Sequence, residues 1–209
     1  GNGNTFFQNT SSKRPTLTAS WKNERPAIRF DGVNDWLTGT GWEHPASDFS
    51  FTFVSDKVGT NEARMLFITA GLLQILSHRS DGVYSDGVFT GPSLTSVDPQ
   101  FFTLNLRQPM QSDVWLGLDQ VAQDLGWVGN PVGSSISFGS RFNQGGTFFD
   151  GFMSELIVYD HGLNEEDQNL LNGYLQAHYS PPVNLGQDII LNSFCDSILR
   201  VDENRFSSI

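Results

Sequence analysis

The chain has 209 residues, of which 38% are hydrophobic and only 17% are charged, and it contains 21 glycines and 17 phenylalanines. This length fits one domain with a substantial core, and so many glycines and phenylalanines are typical of a β-rich protein with many turns. The net charge of −11 argues against a nucleic-acid partner, because the phosphates would be repelled. The charge permits bound cations or a neutral glycan, and it is also explained by solubility alone.

Few features of the sequence indicate the cellular compartment of the protein or whether the chain is a fragment. Cys195 is the only cysteine, so no internal disulfide can form. No apolar run approaches the roughly 20 residues of a membrane-spanning helix. The chain begins with Gly1 rather than methionine, and we expect it to be a fragment or a processed product of a larger polypeptide.

Short apolar segments separated by turn residues predict many strands. Residues 1–20 are polar and are interpreted as a surface loop or a loosely paired arm. Phe49, Phe51 and Phe53 alternate with Ser, Thr and Val, which predicts a strand with one aromatic face. A first strand and turn are predicted at 27–31 and 35–37, and a hairpin or a bent strand at 65–70 and 72–76. Further strands are predicted at 83–89, 101–106 and 114–121, and 136–138 leads toward the closing strand. Roughly ten to twelve short strands at regular spacing indicate a β-sandwich.

The segment 145–179 predicts the closing strand and the only clear helix. In the strand 148–159, Phe152, Leu156 and Val158 fall on one face, and Met153 and Ile157 on the other. Apolar residues on both faces indicate a strand inside a layered protein.

A helix follows this strand. Asn164 is predicted to cap it, and Gly173 within it indicates close packing against a sheet, where a side chain would not fit. Its predicted apolar face comprises Leu170, Leu171, Tyr174, Leu175 and Tyr179.

Two segments resemble the laminin G-like, concanavalin A-like jelly-roll modules. The run FDGFMSELIVYDHGLNEEDQNLLNGYLQAHY at 149–179 is similar to the closing segment of that family, and RPAIRFDGVNDWL at 25–37 is similar to its early strand. The resemblance implies an all-β fold, a two-sheet antiparallel jelly-roll sandwich with one C-terminal-side helix, over residues 1–180. Residues 181–209 are predicted to be a tail or linker that docks on this domain or on a neighbouring one.

The acidic and histidine residues do not form a catalytic pattern. Glucanases of this fold carry two or three acids alternating on one strand, whereas Glu155 stands alone in its strand. Glu165, Glu166 and Asp167 cluster at a helix N-terminus, where the helix dipole favours acids. The four histidines lack paired zinc-ligand spacing. The chain is predicted not to be an enzyme, with a glycan-active hydrolase or lyase as a weaker alternative.

Calcium is the one cofactor that the resemblance suggests, because many relatives bind it at a sheet rim. The candidate ligands are Asp31, Asp35 and Asp150, which lie in the two family-like segments beside glycine turns. The alternative is that these aspartates are turn residues whose carboxylates bond their own backbone.

Sugar recognition would need exposed aromatic rings in loops. Trp42, with Glu43 and His44 beside it, and Trp127, with Asn130 nearby, lie in glycine-containing loops. The alternative is that these two tryptophans plug the open end of the sandwich. The other three tryptophans, Trp21, Trp36 and Trp115, are predicted to be core residues.

The predicted function is a non-enzymatic binding or adhesion module, carbohydrate-recognising, within a larger extracellular or virion-associated protein. The glycan part rests on the fold resemblance. The alternative is a structural assembly module of a phage or virus particle or of a surface complex. It would have no small ligand and would contact other subunits through its N-terminal arm and residues 183–209.

Overall fold

The computed structural model describes residues 5–40, 48–59, 63–68, 73–79, 82–84, 100–107, 111–117, 119–126, 135–140 and 147–179. Thirteen strands, one 3-10 helix (Ser11–Lys13) and one α-helix, α1 (Glu165–Tyr179), form within these residues. The strands are β1 (Phe6–Phe7), β2 (Thr16–Thr18), β3 (Ala27–Asp31), β4 (Leu37–Thr40), β5 (Phe49–Lys57), β6 (Ala63–Ile68), β7 (Leu73–Arg79), β8 (Gly82–Tyr84), β9 (Gln100–Arg107), β10 (Gln111–Leu116), β11 (Asp119–Gly126), β12 (Ser135–Phe138) and β13 (Asp150–Tyr159).

The strands form two antiparallel sheets, which confirms the predicted sandwich. The six-stranded sheet has the order β1-β4-β12-β6-β7-β8, and the seven-stranded sheet has the order β11-β10-β9-β5-β13-β3-β2. The segment interpreted as a surface arm supplies β1 and β2, which pair with β4 and β3. At least this part of the N-terminal segment is therefore integrated into the domain. The predicted tail, residues 181–209, lies outside the described residues.

Phenylalanines fill the core of the sandwich. The predicted alternation on β5 is confirmed, since Phe49, Phe51 and Phe53 are all buried. Ser50 and Thr52 between them, and Val54 after them, are also buried, so β5 is covered on both faces. The largest fully buried side chains are Phe30, Phe49, Phe51, Phe53, Phe102 and Phe149.

Helix α1 covers the outer face of the seven-stranded sheet and creates a second core. Its buried residues Leu171, Leu175 and Tyr179 pack with Val54 of β5 and Phe101 of β9. Central strands β5, β9 and β13 therefore lie between two apolar layers, as the sequence predicts for β13. No helix in the described part of the chain is long and apolar enough to cross a membrane.

A β-bulge in β13 changes which residues share a face. Pairing with β5 shifts by one residue between Met153 and Glu155. Phe152 stacks on Trp21, which packs against the helix core, and Ile157 packs against the same core. Both therefore lie on the outer face, and the prediction that they lie on opposite faces is wrong. The extra residue inverts the alternation beyond the bulge.

The predicted helix cap is confirmed, whereas the predicted apolar face of the helix is wider than the face that is buried. The side-chain Oδ1 of Asn164 accepts the N–H of Asp167 at 2.9 Å. Leu170 is 68% exposed and Tyr174 is 38% exposed. The interpretation of Gly173 is wrong, because a Cβ at this position would have nothing within 4 Å.

A buried polar network fixes the corner between β13 and α1. Asn105 Oδ1 accepts the N–H of Leu163 at 3.0 Å, and Asn105 Nδ2 donates to the Leu163 carbonyl oxygen at 2.9 Å. Ser50 Oγ lies 2.9 Å from the His161 carbonyl oxygen. These side chains satisfy backbone groups that the turn leaves unpaired, so the corner has one defined path onto the helix.

We predict that Gly173→Ala stabilises the protein. Alanine in a helix interior is favoured by about 1 kcal/mol over glycine, and the added methyl meets nothing. We expect the midpoint of thermal unfolding to rise by about 2–4 °C. The matched control is Gly32→Ala, which should lower it, because Gly32 has φ +75° and its added Cβ would lie 2.6 Å from Asp150 Cβ. An unfolding midpoint that falls for Gly173→Ala would contradict the packing described.

We predict that Asn105→Ala lowers the free energy of unfolding by about 2 kcal/mol, because the buried Leu163 carbonyl oxygen loses the Asn105 donor and the Leu163 N–H keeps only Ser50 Oγ, at 3.2 Å. Chemical denaturation measures the change. Asn169→Ala, on the exposed side of α1, is the control and should be near neutral. Equal effects of the two substitutions would show that the corner does not depend on Asn105.

Candidate functional site

Strand pairing defines two ends of the sandwich. Thr40, the last residue of β4, pairs with Ser135, the first residue of β12. At the opposite end of β12, the carbonyl oxygen of Gly139 accepts the N–H of Phe149, directly before Asp150. We call these the Thr40 end and the Asp150 end. The ten residues of β13, which starts at Asp150, separate them by about 30 Å.

Both loops predicted to contact a sugar are attached at the Thr40 end. Residues 41–47 follow Thr40, and residues 127–134 precede Ser135, so paired residues flank the two predicted loops. The predicted binding residues themselves, Trp42, Glu43, His44, Trp127 and Asn130, lie outside the described residues.

The second of these loops also connects the two sheets at this end. It follows Gly126 of β11, which pairs with Gln111, and Gln111 pairs with Arg107 at the end of β9. The neighbouring Leu106 pairs with Phe49, the first residue of β5, which enters the seven-stranded sheet shortly after loop 41–47. These three pairings, together with that of Thr40 and Ser135, attach both predicted loops to the same end of both sheets.

An exposed polar cluster, which the sequence interpretation passed over, lies at this end beside the helix. Tyr159 pairs with Ser50, next to the start of β5. The ring of His161 packs edge-on against Tyr159 at 5.7 Å, and its Nδ1 lies 3.0 Å from Asp160 Oδ1. This hydrogen bond holds the pKa of Asp160 below its usual value. The four histidines looked scattered in sequence, and only the turn after β13 brings His161 between Asp160 and Asp167.

The predicted calcium ligands lie at the Asp150 end, and two of them form a turn. Asp31 Oδ1 accepts the N–H groups of Val33, Asn34 and Asp35 at 2.8, 3.1 and 3.2 Å. Burial raises the pKa of Asp31, but these donors and Arg29 outweigh it, and the pKa lies below 3.8. Asp35 Oδ2 in turn accepts the N–H of Asp31 at 3.0 Å. Burial and the nearby Asp31 charge raise the pKa of Asp35.

The third predicted ligand, Asp150, pairs directly with Asp31 across the sheet. Its Oδ1 lies 2.5 Å from the Arg29 guanidinium, and its carbonyl oxygen accepts the N–H groups of Val58 and Gly59. Within the described ranges, no group of three or more histidine, cysteine or acidic residues could hold a metal ion. The contacts match those of turn residues, and calcium binding stays a prediction.

Trp21, predicted to be core, is only partly buried and belongs to a stack on the outer sheet face. It stacks on Phe152 at 5.7 Å, with Lys22 Nζ 5.7 Å from the Trp21 ring and the Arg29 guanidinium 5.2 Å from the Phe152 ring. Both cations also pair with acids of the sheet, Asp56 and Asp150. The rings are thus engaged by one another and by cations, so the stack is a packing feature.

Glu155 holds the helix to the sheet. Its two carboxylate oxygens accept the hydroxyl groups of Tyr174 at 2.7 Å and Tyr179 at 2.8 Å. Burial, with the Glu155 charge adding to it, raises the pKa of Tyr179 to about 12. Both oxygens of this carboxylate therefore have structural partners.

Comparisons with known proteins identify similar folds. No family model and no curated protein matches the chain. The binding domain of Paraclostridial Mosquitocidal Protein 1 is similar with a TM-score of 0.64 and 13% identity, covering 83% of this chain and 48% of that chain. The botulinum neurotoxin serotype D ligand binding domain, solved in complex with N-acetylneuraminic acid, has a TM-score of 0.56 and 10% identity, over 82% and 46%.

Trypanosoma rangeli sialidase in complex with sialic acid is also similar, with a TM-score of 0.52 and 13% identity, over 70% of this chain and 27% of that chain. The chain spans less than half the length of each of these three structures. At such identities the likeness establishes the β-sandwich fold. Membership of the laminin G-like family stays a prediction.

We predict opposite stability effects for two aspartates at the Asp150 end. The lowered pKa of Asp31 means that its ionised form stabilises the fold above pH 3.8, so Asp31→Asn should lower the free energy of unfolding at pH 7. The raised pKa of Asp35 means that its ionisation destabilises the fold, so Asp35→Asn should raise it. In urea titrations, the Asp35 difference should vanish as the pH falls from its raised pKa to 3.8, and the Asp31 difference should vanish only as the pH falls below 3.8 through its lowered pKa. If both substitutions changed the free energy of unfolding in the same direction at pH 7, the turn geometry described would be contradicted.

Proposed function

We propose that the chain is a non-enzymatic binding module that recognises carbohydrate at the Thr40 end, within a larger extracellular or virion-associated protein. The observation that supports this most strongly is the pairing of Thr40 with Ser135. It attaches the loops that carry Trp42 and Trp127 to adjacent strand ends. Two indole rings on neighbouring loops are what a sugar ring needs for stacking.

The polar residues of the two loops provide hydrogen-bonding groups for the hydroxyl groups of a sugar. Glu43, His44 and Asn130 supply acceptors and donors for hydroxyl groups. The described cluster of Asp160 and His161 adds exposed groups at the same end. The serotype D neighbour, which holds N-acetylneuraminic acid, supports a sugar as ligand.

A binding role is also supported by the structural roles of the acidic residues. Glu155 uses both oxygens on tyrosine hydroxyls, and Glu165, Glu166 and Asp167 lie in the first turn of α1, where the helix dipole favours acids. The similarity to a sialidase keeps a glycan-active hydrolase or lyase as the weaker alternative.

We predict that glycan-array binding by the chain falls at least about tenfold in Trp42→Ala and in Trp127→Ala, because aromatic residues at a binding site contribute about 2 kcal/mol or more. Asp31→Asn, at the Asp150 end, is the matched control and should keep full binding. A calcium chelator should also leave binding unchanged, because a calcium ion at Asp31, Asp35 and Asp150 would lie about 30 Å from the loops. Unchanged binding in both tryptophan variants would overturn the proposal.

A structural assembly module is the second candidate, and the edge strand β2 favours it. Strand β2 is the outermost strand of the seven-stranded sheet, and Leu17 within it is 75% exposed. Such an edge can accept a strand of a neighbouring subunit. If the folded chain binds no glycan and Leu17→Lys or removal of 183–209 changes its oligomeric state, this candidate replaces the first.

A further inference from the structure

Helix α1 has a second apolar surface, on the side that faces away from the sheet. The side that faces the sheet carries the buried residues Gln168, Leu171, Leu175 and Tyr179. On the opposite side the residues are exposed, and Leu170 and Tyr174 are 68% and 38% exposed. The exposed surface consists of Leu170, Gly173, Tyr174 and Ala177, at the three- and four-residue spacings of one helix face. We call these four residues the α1 stripe.

The α1 stripe lacks the charges that usually cover the exposed side of a surface helix. The acids of α1 are confined to its first turn, and residues 168–179 contain no lysine, arginine or acidic residue. Surface helices typically expose charged and polar side chains, and the chain as a whole has a net charge of −11. An uncharged face with an exposed leucine and tyrosine is typical of a surface that another segment covers.

The tail, residues 181–209, carries a matching apolar pattern and begins directly after the helix, which ends at Tyr179. Its apolar residues recur at three- and four-residue spacings, which predicts an amphipathic helix. The predicted apolar side comprises Ile190, Leu191, Phe194, Cys195, Ile198 and Val201. The polar residues Asn192, Asp196 and Arg200 fall on the other side. The tail therefore has an apolar face of its own to bury.

The connection is long enough for the tail to fold back along α1. Two prolines shortly after α1 prevent the helix from continuing. Residues 180–187 can span about 26 Å, whereas two packed helices lie only about 8–10 Å apart. Leu191 and Ile198 are separated by about 10 Å along a helix, and so are Ala177 and Leu170. An antiparallel tail can thus place Leu191 beside Ala177 and Ile198 beside Leu170.

Charge favours the same antiparallel direction. The only basic residues of the tail are Arg200 and Arg205, which follow its predicted contact with Leu170. The first turn of α1 carries the acids Glu165, Glu166 and Asp167. Beside that turn lies an open groove of about 600 Å³, lined by Asn164, Glu165, Glu166, Asn169 and Leu170. A tail that continues past Leu170 brings both arginines to this acidic groove, where opposite charges attract.

We propose that residues 187–205 of the same chain dock antiparallel on the α1 stripe, with both arginines beside the acidic first turn. The tail is the occupant because it combines the apolar spacing with the matching charges. It is also tethered next to the stripe, which gives it a high effective concentration there. Docking of the tail is independent of carbohydrate recognition at the Thr40 end, so either can fail without the other.

The test uses the whole chain and its only cysteine, Cys195, which lies in the tail. A second cysteine is introduced at one exposed position at a time: Ala177→Cys on the stripe, Leu17→Cys on the edge strand β2, or Val33→Cys at the Asp150 end. A short bismaleimide then joins the two cysteines. Peptide mass mapping identifies the joined pair, and denaturing gels separate cross-links within one chain from cross-linked dimers.

We expect Ala177→Cys to cross-link to Cys195 within one chain at least about tenfold faster than either control, because docking holds the two residues together. In the Ala177→Cys chain, Leu170→Asp should lower this rate at least about fivefold, since it places a charge in the apolar contact. Leu17→Asp, the same change at an exposed leucine on β2, should leave the rate unchanged.

Three results would overturn the proposal. The first is a rate for Ala177→Cys no higher than that of the controls, including a faster reaction of Leu17→Cys, which would place the tail on the β2 edge. The second is cross-linking mainly between chains, which would assign the α1 stripe to a second copy. The third is an equal rate with and without Leu170→Asp, which would show that the stripe makes no contact with the tail.

Discussion

The structure depends on β13 being covered on both faces. One face lies against the phenylalanine core, and the other carries α1. A regular strand has one fixed alternation along its length, so the bulge between Met153 and Glu155 is what turns Glu155 toward the helix. There its carboxylate receives the hydroxyl groups of Tyr174 and Tyr179. The position of the helix therefore follows from one extra residue in the strand it covers.

The sequence could predict features that depend on neighbouring residues. Alternating phenylalanines in β5 and the Asn164 cap are local patterns, and both are confirmed. The bulge depends instead on how β13 pairs with β5, about a hundred residues earlier in the chain, and Ser154 carries no local sign of it. Gly173 was misinterpreted for a related reason. Helical spacing shows which residues share a face but does not show which face meets the sheet.

The candidate site was predictable only in part, for the same reason. Trp42 and Trp127 stand out as loop tryptophans, but that their loops adjoin follows only from the register of Thr40 with Ser135. The aspartates were expected either as calcium ligands or as turn residues, and the backbone N–H groups that bond Asp31 match the second alternative. Trp36 was expected in the core and is buried.

The packed interior explains why recognition would occur at the ends and edges. Six phenylalanines of the described residues are fully buried and fill the space between the sheets there. Polar groups for a sugar must then come from loops at a sandwich end. Segments outside the core can add further contact surface without opening it. The N-terminal segment is one of them: β1 pairs with β4, and Gln8 and Arg14 brace the residues that follow. The α1 stripe is another, because its exposed side chains take no part in the core beneath the helix.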